Sequence, residues 1–498
     1  MEPAEAGDGR PSAPTARDVG RALSWLGLGQ LAGQLWWYGS LIALGALLSP
    51  RDFGTIAAGL VVVQIAQFLM DSGTRGSLIV APAISADLLR RALFFNLGMG
   101  GALTLAVVAL AGPFVEAFAQ GGQAGPIRFL ALAVALSALA PVPMAILQRN
   151  LDFKRQAGVL GGAATVASIA ALAAALMGAG VWALALRQVL YQAVIAGLSW
   201  WSVRGLLPSR DRGPERRVPV RQRQALWFFL LSFSQFLALN VDYLVIGGVA
   251  DARVLGLYSL AFTIAFAPVT QFSHQIGKVV FPAAAITSDR DVVANRALKG
   301  TRLLALVTGP LVPPAVAMAP TVLPTVFGPE WTNMVLTFQI LLVAAVGQVL
   351  LTVVQESLSG TGNVAFFATI SMIWLGVTTV VLLVAVRLDG IRGAALTHLV
   401  LVVPLAVAYG TAGAHRIGLT TRRLVAGLRG ILGAVAVQAI VTAAAVAGLV
   451  AFGLGHDLAR FAGALTGLVA VVLAIHRLKD RPLLEARAVA RALRHGSA

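Results

Sequence analysis

The segment from Leu48 to Ile79 reads LSPRDFGTIAAGLVVVQIAQFLMDSGTRGSLI, and its uncharged middle decides the fold class. No residue between Asp52 and Asp71 carries a charge, and a helix over that distance is about 27 Å long at about 1.5 Å per residue. A helix of about 20 apolar residues crosses the hydrocarbon core of a bilayer. About fourteen such stretches follow one another along the 498 residues. The sequence therefore predicts an all-α, polytopic membrane protein.

The predicted helices form two sets of six and a final pair. The sets cover 22–48, 54–79, 89–111, 127–147, 157–177 and 181–202, then 225–249, 255–281, 301–322, 333–357, 364–386 and 391–413, and finally 430–453 and 458–476. We predict a disordered cytosolic tail (1–20), an N-terminal lobe (21–203), a basic cytosolic linker (204–224), a C-terminal lobe (225–414), a second cytosolic linker (415–428), helices 13 and 14 (429–476) and a basic amphipathic cytosolic tail (477–498).

Basic residues predict the orientation, because Lys and Arg concentrate in short loops on the cytoplasmic side of a membrane. With the N-terminus inside, thirty of the 38 Lys and Arg residues lie in inner segments and six in outer loops. This bias predicts an even number of helices, both termini in the cytoplasm, and residence in the cell (plasma or inner) membrane. The net charge of +17 lies in juxtamembrane loops, not in a basic-aromatic domain. It indicates anionic membrane lipids as partners and excludes nucleic acid.

The amino-acid composition excludes several kinds of chemistry. The chain has no Cys, which excludes disulfides and thiolate catalysis. Its six His show neither an HExxH motif nor a clustered spacing with carboxylates. We therefore predict no metal site and no cofactor, and the sequence shows no motif that indicates a catalytic residue. Coupling to protons or sodium ions stays open at this level.

Internal repetition relates the two sets of helices. A shift of 202 residues sets RDFGTIAAGL from Arg51 against RVLGLYSLAF from Arg253, and a shift of 210 sets GVWALALRQ from Gly180 against GIRGAALTH from Gly390. Because each set has an even number of helices, both enter the membrane in the same orientation, around an axis along the membrane normal. A central cavity between two lobes follows from this arrangement.

The same segments resemble a known family. Residues 48–79, PMAILQRNLDFKR from Pro143 and GAGVWALALRQ from Gly178 are similar to the corresponding helices of Wzx-type polysaccharide and oligosaccharide flippases. The similarity continues through NVDYLVIGGVADARVLGLYSLAF, IGKVVFPA, VFGPEWTNMVLTFQIL and SLSGTGN, and covers about residues 20–415. It implies the multidrug/oligosaccharidyl-lipid/polysaccharide (MOP) exporter superfamily, with a MATE-like two-lobe (6+6) architecture plus two C-terminal helices.

By that resemblance, the substrate is a polyprenyl-diphosphate-linked saccharide. The same resemblance implies a transporter in place of an enzyme, which we expect to turn this lipid from the inner to the outer leaflet by alternating access through a cationic central cavity. Polysaccharide polymerase or ligase machinery becomes a candidate partner. A sugar and a diphosphate must cross hydrocarbon while the polyprenyl tail stays in lipid, so a polar cavity with a side gap suits such a substrate.

Ionisable residues inside spans are functional candidates, because burying charge in a bilayer is costly. Arg187 lies about six residues into a helix that enters from outside; it either reaches back to the surface or lines the cavity. Gln188 is its neighbour, and the internal repeat relates this position to His398 in the second set of helices. The three residues are therefore predicted to form one polar layer at the same depth in both halves. Arg75 and Asp71 share a helical face; they form an internal ion pair, or the pair opens and Arg75 binds phosphate or acidic sugar.

Further candidates lie in the second set of helices. Asn240 and Asp242 lie deep in the first of them, where Asp242 takes a coupling ion or forms a structural pair. His274 is either a buried structural residue or a proton relay. Gln348 and Glu356 lie along the tenth helix and either line a wet interior or, for Glu356, face the cytosol.

Three other functions compete with the flippase. A MATE-like multidrug or organic-ion antiporter shares the fold, but a carrier of organic cations needs acidic residues in its cavity. A membrane-embedded glycosyltransferase or polymerase needs catalytic carboxylates in a sizeable loop, and the outer loops here are short. A scaffold without transport activity has no use for intramembrane Arg or Asp.

Overall fold

The computed structural model describes residues 33–34, 36–80, 85–150, 152–206, 222–267, 289–360 and 364–477. Within these ranges the side chains of 72–77 and of a few helix ends are not described. The predicted N-terminal and C-terminal tails, most of the linker 204–224, and His274 lie outside the described residues. Those predictions therefore stay predictions.

The regular secondary structure of the described residues is helical, apart from an isolated bridge between Gln120 and Asp251. In chain order the helices are α1 (Trp36–Leu47), α2 (Pro50–Val80), α3 (Ala86–Phe118), α4 (Ala124–Ser137), α5 (Pro141–Arg149), α6 (Phe153–Leu176), α7 (Val181–Val203), α8 (Gln222–Ala238), α9 (Val241–Val249), α10 (Ala252–Ala267), α11 (Arg290–Thr308), α12 (Val312–Phe327), α13 (Val335–Gly360), α14 (Val364–Ile417), α15 (Thr421–Ala451) and α16 (His456–Arg477). The predicted all-α class is confirmed.

Nine helical segments in the described part of the chain are long and apolar enough to cross a membrane, or eleven if each of two bent pairs counts as one span. Each of the fourteen predicted stretches overlaps described helix, although 22–32 and 268–281 lie outside the described residues. Two of them correspond to the shorter helices α1 and α10, and two to the halves of α14, which breaks at Asp389 and Gly390. The count of fourteen spans itself stays a prediction.

Two stretches that we predicted as single helices are bent by 42° instead. The first, 127–147, divides into α4 and α5 just before Pro141, because a proline lacks the amide that would continue a helix and disfavours helical geometry in the residue before it. The second, 225–249, divides into α8 and α9 at Leu239 and Asn240. The second break lies beside the cavity described below.

The helices pack in two groups and a terminal hairpin. Helices α2 to α7 contact mainly one another, and α14 contacts α8, α9 and α13. The groups meet where α9 contacts α2 and α3. The hairpin of α15 and α16 packs on α11 and α12, where the Thr321 hydroxyl donates to Asp457 at 2.6 Å and Arg302 Nε donates to the Gly427 carbonyl at 3.0 Å.

Candidate functional site

A cavity of about 620 Å³ lies between the two groups of helices. Helices α1, α2, α6 and α7 line one side, and α8, α9 and α10 line the other. Besides Arg187, its polar and aromatic lining residues are Gln34, Gln64, Gln67, Gln188, Gln192, Asn240, Ser259, Thr263, Trp37, Tyr38, Tyr191, Tyr243, Phe53, Phe236, Phe262 and Phe266. Within the described part of the lining, Arg187 carries the single formal charge and no carboxylate is present.

Arg187 is placed by the start of α7. The helix begins after Gly180, whose φ of 55° suits glycine better than any other residue type. Arg187 lies six residues after Val181, or about 9 Å along the axis. Its side chain is 5% exposed, so it does not reach back to the surface. The structure favours cavity lining over the alternative that the sequence left open.

Two neutral oxygens hold the Arg187 guanidinium. Nη2 donates to the Trp37 carbonyl at 2.6 Å and to the Ser40 hydroxyl at 3.1 Å. Ser40 Oγ in turn lies 2.8 Å from Ser168 Oγ. The guanidinium carbon also lies 3.5 Å from the centroid of the Trp37 ring. Cation–π contacts of this kind stabilise a desolvated arginine without neutralising it.

The Arg187 charge therefore has no counter-ion within the described residues. None of their ion pairs includes Arg187, and its buried Nε has no hydrogen-bond partner among them. A buried, unpaired charge is costly, and an incoming anion with two acceptor oxygens relieves that cost by accepting from the planar guanidinium. This arrangement can hold an anionic group.

Aromatic rings extend from Arg187 along the cavity wall. Tyr191, one turn further along α7, packs against Trp37 with ring centroids 4.8 Å apart. Both residues line the cavity with Tyr38. Flat rings beside amide groups can stack on the apolar faces of sugar rings while the amides bind hydroxyls. The wall thus offers one anion position next to a neutral, hydrogen-bonding surface.

Asp242 forms a separate buried cluster behind this wall. Its side chain is fully buried at the start of α9, and its Oδ2 accepts from the Tyr258 hydroxyl at 2.6 Å. Its Oδ1 accepts from the Tyr243 amide at 3.0 Å. His398 Nε2 lies 3.6 Å from Oδ2, within ion-pair range if the imidazole is protonated. The Phe262 ring packs against this imidazole, with ring centroids 5.7 Å apart.

His398, which the repeat places at the depth of Arg187, is absent from the described lining of the cavity and lies beside Asp242. The repeat predicts the helix and the depth of a residue but not the direction of its side chain, which depends on the neighbours of α14. Asn240 does line the cavity, where its Nδ2 donates to the Phe236 carbonyl at 2.9 Å.

The remaining predicted residues are dispersed. Gln188 lines the cavity next to Arg187, whereas the half-buried Gln348 and Glu356 on α13 do not. Asp71 is half-buried on α2, but the Arg75 side chain lies outside the described residues, so their ion pair stays a prediction.

Several cavity residues escaped the sequence analysis. They are Gln64, Gln67, Gln192, Tyr191 and Tyr243. The glutamines did carry a signal, since Gln64 and Gln67 are three apart and Gln188 and Gln192 four apart, spacings that share one helical face. Uncharged polar residues in apolar spans attract less notice than charges, although here they form most of the polar lining.

Solved structures show the same fold. The structure titled "Lipid II flippase MurJ, inward closed conformation" matches with a TM-score of 0.69 at 10% identity, over 91% of this chain and 98% of that chain. A MATE structure in complex with MaD5 matches with a TM-score of 0.53 at 15% identity, over 82% and 98% of the two chains. Fold and cavity together define the class: a polytopic helical membrane protein with the MOP exporter fold.

The chain belongs to the polysaccharide biosynthesis protein family, whose profile matches residues 43–336. It is 25% identical over 308 residues to lipopolysaccharide biosynthesis protein WzxC of Escherichia coli K12, covering 61% of this chain and 62% of that protein. It is 23% identical over 292 residues to succinoglycan biosynthesis transport protein ExoT of Rhizobium meliloti, covering 58% of each. The resemblance noted in the sequence is confirmed, and the match spans about three fifths of each relative.

Proposed function

We propose that this protein is a flippase for lipid-linked saccharides. It moves a polyprenyl-diphosphate-linked oligosaccharide or polysaccharide repeat unit across the bilayer by alternating access through the cavity, without covalent chemistry. The observation that carries this proposal is the buried guanidinium of Arg187, which lacks a counter-ion among the described residues and faces a wall of amides and aromatic rings. The diphosphate binds Arg187, and the sugar hydroxyls bind the glutamines.

The two groups of helices act as the predicted lobes, 21–203 and 225–414. Both termini lie in the cytoplasm of a cell (plasma or inner) membrane, and the substrate moves from the inner to the outer leaflet. The excess of Lys and Arg in the predicted inner segments supports this orientation. Polymerase or ligase machinery that consumes the exported repeat unit is the proposed partner.

A multidrug antiporter for organic cations is the main competing function, because MATE proteins share the fold. Attraction of a cation requires negative charge at the binding site. The described lining of this cavity has one Arg and no Asp or Glu. The electrostatics therefore favour an anionic substrate.

The test uses purified protein in liposomes with a polyprenyl-diphosphate saccharide that carries a fluorophore on the sugar. Transfer between leaflets is followed with an impermeant quencher. Arg187→Gln should slow transfer by about tenfold or more, since a hydrogen bond to a charged group contributes about 1.5–3 kcal/mol. The transfer rate of Arg187→Lys should lie between those of the wild type and Arg187→Gln, because a lysine keeps the charge but not the bidentate geometry.

Arg392→Gln is the matched control, since Arg392 is an exposed arginine on α14 away from the cavity lining. It should transfer the lipid at the wild-type rate. Failure of the wild-type protein to transfer the lipid contradicts the proposal, as does a wild-type rate for Arg187→Gln. Transport of an organic cation by the same vesicles would favour the multidrug antiporter.

We propose further that Asp242 binds a coupling proton that it shares with His398. Tyr258 fixes the carboxylate from α10, while His398 approaches from α14, so a proton at this cluster changes the contact between two helices. In liposomes with an imposed pH gradient, transfer by the wild-type protein should respond to the gradient and transfer by Asp242→Asn should not. A response to a sodium gradient alone contradicts the assignment of the proton.

A further inference from the structure

The two groups of helices contact each other backbone to backbone where the first turns of α2 and α10 cross. Gly54 of α2 and Gly256 of α10 lie at this crossing. A Cβ atom on Gly54 would overlap the carbonyl oxygen of Ala252 and lie 2.8 Å from the Gly256 nitrogen. A Cβ atom on Gly256 would overlap the carbonyl oxygen of Pro50 and lie 2.9 Å from the Gly54 nitrogen.

The contact is reciprocal, and it depends on the absence of side chains. Each glycine directs a Cα hydrogen towards a carbonyl oxygen of the other helix, the C–H···O geometry that recurs at close helix crossings. Each such contact is weak. The two contacts therefore allow α2 and α10 to pack closely, and little free energy is needed to separate the helices. Any Cβ at Gly54 or Gly256 has to displace a backbone carbonyl.

The internal repeat relates the two glycines of this contact. The shift of 202 residues that aligns Arg51 with Arg253 also aligns Gly54 with Gly256. The same glycine therefore occurs at the same helix position in both halves, and the two copies contact each other. A self-complementary contact of this kind is typical of surfaces related by a two-fold axis.

A second pair of glycines is related by the same shift of 202 residues. Gly45 of α1 aligns with Gly247 of α9. A Cβ on Gly247 would overlap the Phe118 carbonyl at the end of α3, and a Cβ on Gly45 would lie 2.7 Å from the Phe327 ring at the end of α12. Close packing thus surrounds the Gly54–Gly256 contact from both halves.

The contact lies at one end of the cavity. Phe53 and Ile56 flank Gly54 on α2 and line the cavity, and Ser259 and Leu260 do so one turn after Gly256 on α10. Both helices begin at this end. In the predicted topology it faces the outside of the cell, so the crossing separates the cavity from the outer aqueous phase.

We infer that Gly54 and Gly256 form the outer gate of this transporter. The inference rests on the proposed flippase function, because alternating access requires the outer ends of α2 and α10 to separate during each cycle. The glycines stabilise the closed gate by permitting backbone contact. A side chain at either position shifts the equilibrium towards the outward-open state, and it does so without altering any group that binds the substrate.

The test measures access to the cavity from outside and needs no substrate. The natural chain has no Cys, so Gln64→Cys places a single thiol in the cavity. Intact cells are treated with a membrane-impermeant maleimide. We expect this thiol to be protected in the natural background and to react about tenfold faster with Gly54→Ala or Gly256→Ala, since overpacking at a close contact shifts two-state equilibria by this order.

Two controls accompany this measurement. Gly101→Ala, on α3 with no atom near its Cβ position, should leave the thiol protected. Arg51→Cys, at an exposed position beside the gate, should react from outside in every background, which verifies insertion, amount and orientation. Rapid labelling of Gln64→Cys in the natural background, or equal protection in both glycine variants, overturns the inference. Absence of labelling at Arg51→Cys overturns the outer location.

A second measurement leaves both glycines in place. Arg51→Cys and Arg253→Cys lie on the two helices beside the gate, and a short bifunctional maleimide joins them. Transfer of the lipid-linked saccharide should stop in the joined protein and continue when each thiol is blocked singly. Continued transfer by the joined protein overturns the gate. If no variant transfers such a lipid while the labelling results hold, the proposed substrate is wrong and the gate stands.

Discussion

Removal of one hydroxyl tests how the buried carboxylate of Asp242 is stabilised. In Tyr258→Phe the ring stays and its hydroxyl, which donates to Asp242 Oδ2 at 2.6 Å, is lost. Oδ2 then has only the imidazole of His398, at 3.6 Å, within the described residues. A hydrogen bond to a charged group contributes about 1.5–3 kcal/mol, so the free energy of unfolding should fall by that amount.

A double-mutant cycle separates this bond from other effects of the substitution. Asp242→Asn removes the charge and keeps the shape, so the hydroxyl of Tyr258 then meets a neutral amide. If the bond between hydroxyl and carboxylate is what stabilises the cluster, the two substitutions should be coupled by about 1–2 kcal/mol. Equilibrium unfolding of the purified protein in mixed micelles gives the four free energies.

Tyr191→Phe is the matched control, because the hydroxyl of Tyr191 makes no hydrogen bond within the described residues while its ring packs on Trp37. It should change the free energy of unfolding by less than about 0.5 kcal/mol. Additivity of Tyr258→Phe and Asp242→Asn within about 0.5 kcal/mol would refute the reasoning. The cluster would then be held by packing rather than by the charged bond.

Two further predictions concern stability. Arg187→Met should keep or raise the melting temperature, because it removes a desolvated charge that costs several kcal/mol to bury. The same substitution should lower lipid transfer by about tenfold or more. A lower melting temperature would assign Arg187 a structural role. Gly467→Leu should destabilise the contact of α16 with Thr442 on α15 by about 1–3 kcal/mol, as measured by thermal unfolding. Gly433→Leu, with open space around it, is its control and should unfold like the wild-type protein.

The positions of the helices could be predicted from the sequence because hydropathy and length decide them locally. The bends before Pro141 and at Asn240 were missed, since an uninterrupted apolar run gives no direct measure of axis direction. Pro141 did carry a signal, because a proline inside an apolar stretch disfavours a straight helix. Asn240 carried no such signal.

The cavity, too, could be predicted from the sequence only in part. The depth of Arg187 in an apolar helix could be predicted from the sequence, whereas its burial could not, because an arginine at that depth can also reach back to the surface. The contact of Asp242 with His398 joins residues far apart along the chain and depends on how α9 and α14 rotate about their axes. The repeat aligns Gly54 with Gly256 in the sequence, but only the backbone of the structure shows that the two glycines are in contact.

The attachment of the last two helices has a consequence for how the chain can be altered. The hairpin of α15 and α16 packs on α11 and α12 and contributes none of the described cavity residues. We therefore expect changes on the outer face of the hairpin to alter the stability of the helix packing and to leave the described lining of the cavity as it is.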